Sequence, residues 1–503
     1  MLLVFIDCCA KLEKPQMVFN SFSFWIVFPF IFGLYWLIPV KYNHWRKLFL
    51  VIVSYLLYMN WKPAFALVLL GVTLVTYWGG QVLQSEGFTV QNVQESERLK
   101  RNRLVWLFAI LGLQPLLAFK YYNFLNDSLT GGLASIGLKF AMPGLNWAVP
   151  IGISFFTFQA VGYMLDVYHG RVKAEKNLLD YILFVSFFPQ ITSGPISTAK
   201  ELMPQIKVSH SFSYEQGRDG LKLLLWGMFV KVVIADRVGM LVDTVYGNYQ
   251  FYSGNICMLA SFFYTIQIYC DFAGYSWMAI GIAKTLGFDL INNFRQPYFA
   301  TSITDFWKRW HISLTRWLTT HVYIGLGGNR CSKLRLYWNI MVTFLVSGLW
   351  HGANWTFVFW GFIHGILQII EKILGIDPKG RYSDTRFIKS LALVRVLVTF
   401  ILVNLAWIFF RMPTIGDAFD VIGKMVHDRG SLNIVDIYTG SAPVFIVIVG
   451  ILLLVLHDLV KECGLKWSFL RKPVFQWCWF IILFILIMAT GVLDGGQFIY
   501  ASF

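Results

Sequence analysis

The 503-residue chain is 57% hydrophobic and 18% aromatic with only 14% charged residues, a composition that excludes an ordinary soluble globular protein. Its 42 lysines and arginines against 27 aspartates and glutamates leave a formal charge of +15. No basic region stands apart from the apolar segments, so the excess is assigned to cytoplasmic loops or to an anionic ligand, and no nucleic-acid partner is expected.

The expected fold is all-α: a polytopic integral membrane protein of about 10–11 transmembrane helices, since one crossing takes about 20 apolar residues, with re-entrant and interfacial helices around a central tunnel. Residues 1–16 read as an N-terminal extension without a basic n-region or a small-residue cleavage site, and Met17 opens the first span of a single membrane domain, 17–503. Apolar runs follow at 22–39, 48–59, 64–83, 104–119, 148–165, 221–235, 256–270, 337–370, 390–410, 442–460 and 474–491.

Arg46 and Lys47 in one loop, and Arg98, Lys100, Arg101 and Arg103 in a later one, fall on the same side of the bilayer, which the positive-inside rule makes cytoplasmic. The stretch "YILFVSFFPQITSGPI" carries Pro189 and Pro195 and precedes more cations, so it is expected to re-enter rather than cross. Both flanks of 337–370 are basic, and a continuous helix of that length would overrun the membrane; the run must turn back near His351.

Three sets of polar residues need explaining. In "FWKRWHISLTRW", 306–317, His311 shares a helical face with Trp307 and Thr315, while Lys308 and Arg309 point elsewhere. Either this is an interfacial helix with its tryptophans at headgroup level, or its cations hold an anionic donor beside the imidazole. In "LVSGLWHGANWTFVFWGFIHG", 345–365, His351 has Asn354 at i+3, Trp350 beside it, and glycines that permit close approach. A buried histidine satisfied by its neighbours is one reading; a general base that takes a proton from a hydroxyl is the other. His364 lies roughly 220° further round a continuous helix and is read as structural. Asp271, in "YCDFAGYS", either ties helices together or orients an imidazole, and Asn293 caps the basic helix or forms a turn. The seven cysteines show no metal-ligand spacing and no disulfide framework, and no metal is expected. No nucleophile elbow, P-loop or zinc motif is present in the sequence.

The ordered motifs "FFPQITSGPI…LMPQI", "GMFVKVVIADRV", "YCDFAGYS", "NFRQPYFATSITDFWKRWHISLTRWL", "GLGGNR", "SGLWHGANWTFVFWGFIHG" and "FFRMPTIGDAF" resemble the membrane-bound O-acyltransferase family, in its bacterial alginate O-acetylation-like branch. Trp277 stands where that branch commonly has an aspartate after "GYS". The resemblance implies that His351 is the catalytic histidine and His311 a second functional histidine on the donor path. It also implies acetyl-CoA as donor, with no bound cofactor, in a bacterial cytoplasmic membrane. The acceptor would be an exported polysaccharide or a partner extracytoplasmic acetyltransferase with a serine nucleophile. The expected substrate-binding residues are Asn354, Trp350, Lys308, Arg309, Trp307, Asp271 and Asn293. Competing classes are a transporter or flippase in which the histidines relay protons, and a non-catalytic scaffold.

Overall fold

The computed structural model describes residues 19–84, 95–138, 142–376, 386–430, 444–465 and 472–493. The expected N-terminal extension, including Cys8 and Cys9, lies outside them. Every regular element among the described residues is helical. In chain order the helices are α1 (Phe22–Leu37), α2 (Asn43–Met59), α3 (Pro63–Leu83), α4 (Glu95–Leu116), α5 (Tyr122–Ser135), α6 (Ile153–Tyr168), α7 (Leu178–Ser186), α8 (Phe188–Ile191), α9 (Ala199–Lys207) and α10 (Tyr214–Met228). They continue as α11 (Asp236–Gly247), α12 (Gly254–Thr285), α13 (Ile303–Arg309), α14 (Ile312–Leu318), α15 (Lys333–His351), α16 (Trp355–Ile373), α17 (Arg386–Arg411), α18 (Ile415–His427), α19 (Val444–Glu462) and α20 (Pro473–Thr490).

Among the described residues, five helical runs are long and apolar enough to cross a bilayer: Pro63–Leu83, Leu99–Ser135, Gly254–Thr285, Trp355–Ile373 and Ala392–Arg411. The pair Phe22–Leu37 and Val40–Met59, bent by 103°, makes a sixth if counted as one span. Other runs expected to cross form shorter or charge-bearing helices, such as the 16-residue α6. Two expected spans are extended. The run at 104–119 continues through a π-helical turn, Leu117–Tyr121, to Ser135, and the run at 256–270 belongs to the 32-residue α12.

The chain forms two compact units, one of residues up to Leu221 with Ala279–Ile291, the other of Lys222–Met278 and Asn292 onward. In the first, α3 lies close against α6, where a Cβ on Gly80 would meet the Tyr163 ring at 2.9 Å. Small residues at such crossings let backbones approach where no water drives association. Polar side chains inside this unit are paired locally: Tyr181 donates to Thr76 Oγ1 at 2.8 Å and Lys47 to Asp180 at 2.8 Å. The proline-bearing stretch becomes the nine-residue α7, the four-residue α8 and irregular backbone. Neither helix is long enough to cross, and the irregular backbone is covered by protein, as re-entrance requires.

The second unit holds both histidines singled out in the sequence. Its α15 and α16 form the turn-back expected in 337–370: α15 ends at His351, Gly352 is extended, and Asn354 starts α16. The two helices pack backbone to backbone. A Cβ on Gly348 would collide with the Phe357 carbonyl, and one on Gly361 with the Phe344 carbonyl. Gly361→Leu is expected to force the hairpin apart at a cost of about 1–3 kcal/mol, read as a lower unfolding midpoint of the detergent-solubilised protein, while Gly33→Leu, which meets open space, leaves the midpoint near wild type.

Candidate active site

His351 and His311 reach one another from different elements of the second unit. Their ring centroids are 6.5 Å apart, and they are 2% and 0% exposed. His351 is the last residue of α15. Its ring stands perpendicular to Trp360 at 5.1 Å, close to perpendicular to the adjacent Trp350 at 4.9 Å, and 5.2 Å from Phe410. Trp350 also faces His311 at 5.4 Å, so one indole touches both imidazoles.

His311 does not lie within a helix, as the i±4 reading of 306–317 supposed. Helix α13 ends at Arg309, Trp310 is extended, and His311 takes a left-handed backbone conformation, φ 42° and ψ 55°, as the N-cap of α14. That conformation costs a residue with a Cβ roughly 1–2 kcal/mol, and such strain gathers at functional sites. Asn293 holds it. Its carbonyl accepts from Ile312 N–H at 3.0 Å and its side-chain oxygen from Ser313 N–H at 3.1 Å, while Arg295 N–H donates to the Arg309 carbonyl at 3.0 Å. Asn293 therefore clasps the loop that presents His311. Phe272 closes the other side, edge-on to the imidazole at 4.6 Å. Burial pushes the His311 pKa down to about 3, which keeps the ring neutral.

The remaining expected residues separate. Trp307 and Trp310 are buried within the protein, so neither indole is presented to lipid headgroups as the interfacial reading supposed. Trp307 donates its indole N–H to His364 Nδ1 at 3.2 Å. Asn354 is not on a shared helical face with His351, because Gly352 breaks the helix. It caps α16 by accepting from Thr356 N–H at 3.0 Å and donates to the Pro413 carbonyl at 3.1 Å. Arg309 is held between Asp305 at 3.0 Å and Glu462 at 2.7 Å. With two carboxylates on one guanidinium, Arg309 has little charge left for donor phosphates; Lys308 is exposed.

Asp271 bonds Lys231, which also bonds Asp236 at 2.6 Å. Lys231 and Asp271 are buried and Asp236 is part-buried, with its side chain largely covered, and Lys231 lies in a π-helical turn, Phe229–Ala235. Asp271 therefore ties helices, while its neighbour Phe272 is the residue that reaches the histidine site. Sequence reasoning passed over Lys231, although a lysine inside an apolar run is itself a signal. It also missed Trp360, Phe410 and Phe272, which no periodicity distinguishes from core aromatics. Among the described residues no cluster of three metal-ligating side chains is present, and Cys257, Cys270, Cys331, Cys463 and Cys478 are free.

A family model of the membrane-bound O-acyltransferases matches residues 173–376, a stretch that contains both histidines, Asp271 and Asn293. The chain is 38% identical over 411 residues to the probable alginate O-acetylase AlgI of Pseudomonas syringae, covering 81% of this chain and 75% of that one. It is 33% identical over 412 residues to the peptidoglycan O-acetyltransferase of Helicobacter pylori, covering 76% and 74%. A teichoic acid D-alanyltransferase of Streptococcus thermophilus is 28% identical over 290 residues, 52% of this chain and 68% of that one. The chain belongs to the membrane-bound O-acyltransferase family. It is a multi-pass membrane enzyme that transfers acyl groups to oxygen, which sets aside the transporter reading. In this acyltransferase the matched segment runs through the parts just described: the Asn293 clasp, the strained His311 and the hairpin that ends at His351.

Lys231→Met would leave two buried carboxylates without their cation, and removing one partner of a buried pair costs about 3–5 kcal/mol. Asp271→Asn is expected to cost less, because Asp236 still pairs with Lys231. Thermal unfolding of the two purified variants in the same detergent checks the order.

Proposed function

We propose that this acyltransferase moves an acyl group, with acetyl favoured, from a cytoplasmic thioester donor, acetyl-CoA, to a hydroxyl of an exported or cell-wall polysaccharide, either directly or through the serine of an extracytoplasmic partner. The observation that carries the reading is the pair of buried imidazoles 6.5 Å apart in an aromatic enclosure. The polysaccharide acceptor and the acetyl group draw on the alginate O-acetylase and peptidoglycan O-acetyltransferase named above. A membrane enzyme with these substrates belongs in the bacterial cytoplasmic membrane.

In the proposed step His351 acts as general base. It takes the proton of the acceptor hydroxyl as that oxygen attacks the thioester carbonyl carbon. The tetrahedral intermediate collapses, the C–S bond breaks, and the proton held on His351 passes to the departing sulfur; ester and free thiol are the products. A base suited to this work needs a neutral imidazole, and the ring walls exclude water that would otherwise compete as acceptor. His311, neutral and 6.5 Å away, positions or polarises the thioester. Trp350, which touches both rings, is the wall along which the acyl group would lie. Lys308 is the exposed cation available to draw the donor's phosphates. Arg309 holds its own acids.

His351→Gln is expected to lower acetyl transfer by about 10²–10⁴-fold, the range attributed to general base catalysis, with the protein still inserted and produced. Acetyl ester on exported polysaccharide, together with label transferred from acetyl-CoA in membrane vesicles, provides the measurement. Unchanged transfer would overturn the assignment of His351 as general base. His311→Asn removes the ring but suits the left-handed backbone, so a loss of turnover there without loss of protein assigns the effect to the imidazole.

A further inference from the structure

We propose that His364 is a positioning residue: with Trp307 it forms the strut that sets the separation of His311 and His351. This rests on the reading that both histidines act in acyl transfer.

The direction of one hydrogen bond decides the state of His364. An indole N–H can only donate, so His364 Nδ1 accepts from Trp307 at 3.2 Å and the proton of the neutral ring sits on Nε2, which is buried with no hydrogen-bond partner among the described residues. The bond joins α13 to α16, and each end leads to a candidate catalytic ring. Trp307 lies four residues before His311, on the helix whose end becomes the strained loop. His364 lies one turn after Trp360 on α16. Its ring meets Trp360 at 4.9 Å, and Trp360 in turn stands perpendicular to His351 at 5.1 Å.

The strut is braced by other rings. His364 lies near parallel to Phe306 of α13, 6.3 Å away and 8° from parallel, and to Phe344 of α15, at 6.1 Å and 22°. Trp360 stacks on Trp407 at 5.5 Å and 18°. Both His364 and Trp360 are fully buried. One side chain thus touches α13, which leads into His311, α15, which ends at His351, and Trp360 on its own helix α16. An apolar residue of similar size could fill the space beside Phe306 and Phe344. It could not accept from the Trp307 N–H, and leaving a further buried donor unsatisfied is costly enough to favour a shift of α13 toward another acceptor. Any such shift of α13 is passed directly to His311.

The test compares His364→Leu, which keeps bulk and removes the acceptor, with His364→Asn, whose side-chain oxygen sits near the place of Nδ1. Both are measured in full-length protein in membrane vesicles supplied with labelled acetyl-CoA, beside Trp307→Phe and the double variant. A misplacement of reacting groups by about 1 Å can cost on the order of 100-fold. His364→Leu and Trp307→Phe are therefore expected to lower kcat by roughly 10- to 100-fold while leaving the KM for acetyl-CoA within about twofold. The double variant should be no worse than either single one, because both remove the same bond. His364→Asn should recover most of the turnover. Wild-type kcat in His364→Leu overturns the proposal, and so does an Asn variant that falls as far as Leu, since bulk and not the acceptor would then matter. His351→Gln, run alongside, separates the two readings. If it keeps full turnover, the base assignment fails; if it is inactive while His364→Leu is unimpaired, only the strut fails.

Discussion

The contact on which the histidine site depends is the close approach of two helix backbones at Gly348 and Gly361. Carbonyls of the opposite helix occupy the volume a side chain would need at both positions. The hairpin can therefore close tightly enough to end α15 at His351 and restart at Asn354 within three residues. Helix ends in an apolar environment need their free N–H and C=O groups satisfied. Asn354 meets part of that need by capping α16 and bonding the Pro413 carbonyl. Asn354 thereby makes the turn possible, and the turn places the ring of His351 inside the aromatic enclosure.

A second constraint brings His311 to the same place. The left-handed backbone at His311 is unfavourable for any residue with a Cβ, and it persists because Asn293 accepts hydrogen bonds from the two residues that follow. The same segment pairs Arg295 with the Arg309 carbonyl. Arg309 is itself fixed by Asp305 and Glu462. Cations and amides near the site thus hold the presenting loop in shape, and the reacting surface is left to rings.

The sequence made the membrane class, the turn within 337–370 and the two histidines legible, because an apolar run with basic flanks and an imidazole inside it can be recognised residue by residue. It did not reveal the break at Trp310. The run 306–317 has no proline or glycine to end a helix, and only the tertiary clasp by Asn293 overrides the helical periodicity. Helix lengths were also misjudged. Lys120 and Lys231 interrupt apolar runs, yet both sit in π-helical turns within continuous helices, where part-buried Lys120 finds Ser154 and buried Lys231 finds Asp236 and Asp271. Pairing across helices is invisible to a hydropathy count. For the same reason the pairing of Asp271 with Lys231 is not legible in the sequence.

The burial of His311 bears on the chemistry of its neighbour. A base that becomes positively charged is opposed by any cation close by. At 6.5 Å, and with an effective dielectric constant near 20, two unit charges repel by roughly 2–3 kcal/mol. That would weaken His351 as a proton acceptor by on the order of 100-fold. A neutral His311 removes the penalty, and its neutrality follows from burial, with Phe272 and Trp350 against the ring. The enclosure therefore does more than exclude water. It keeps the second imidazole uncharged while leaving it close to His351, as the proposed assignment of proton transfer to His351 requires.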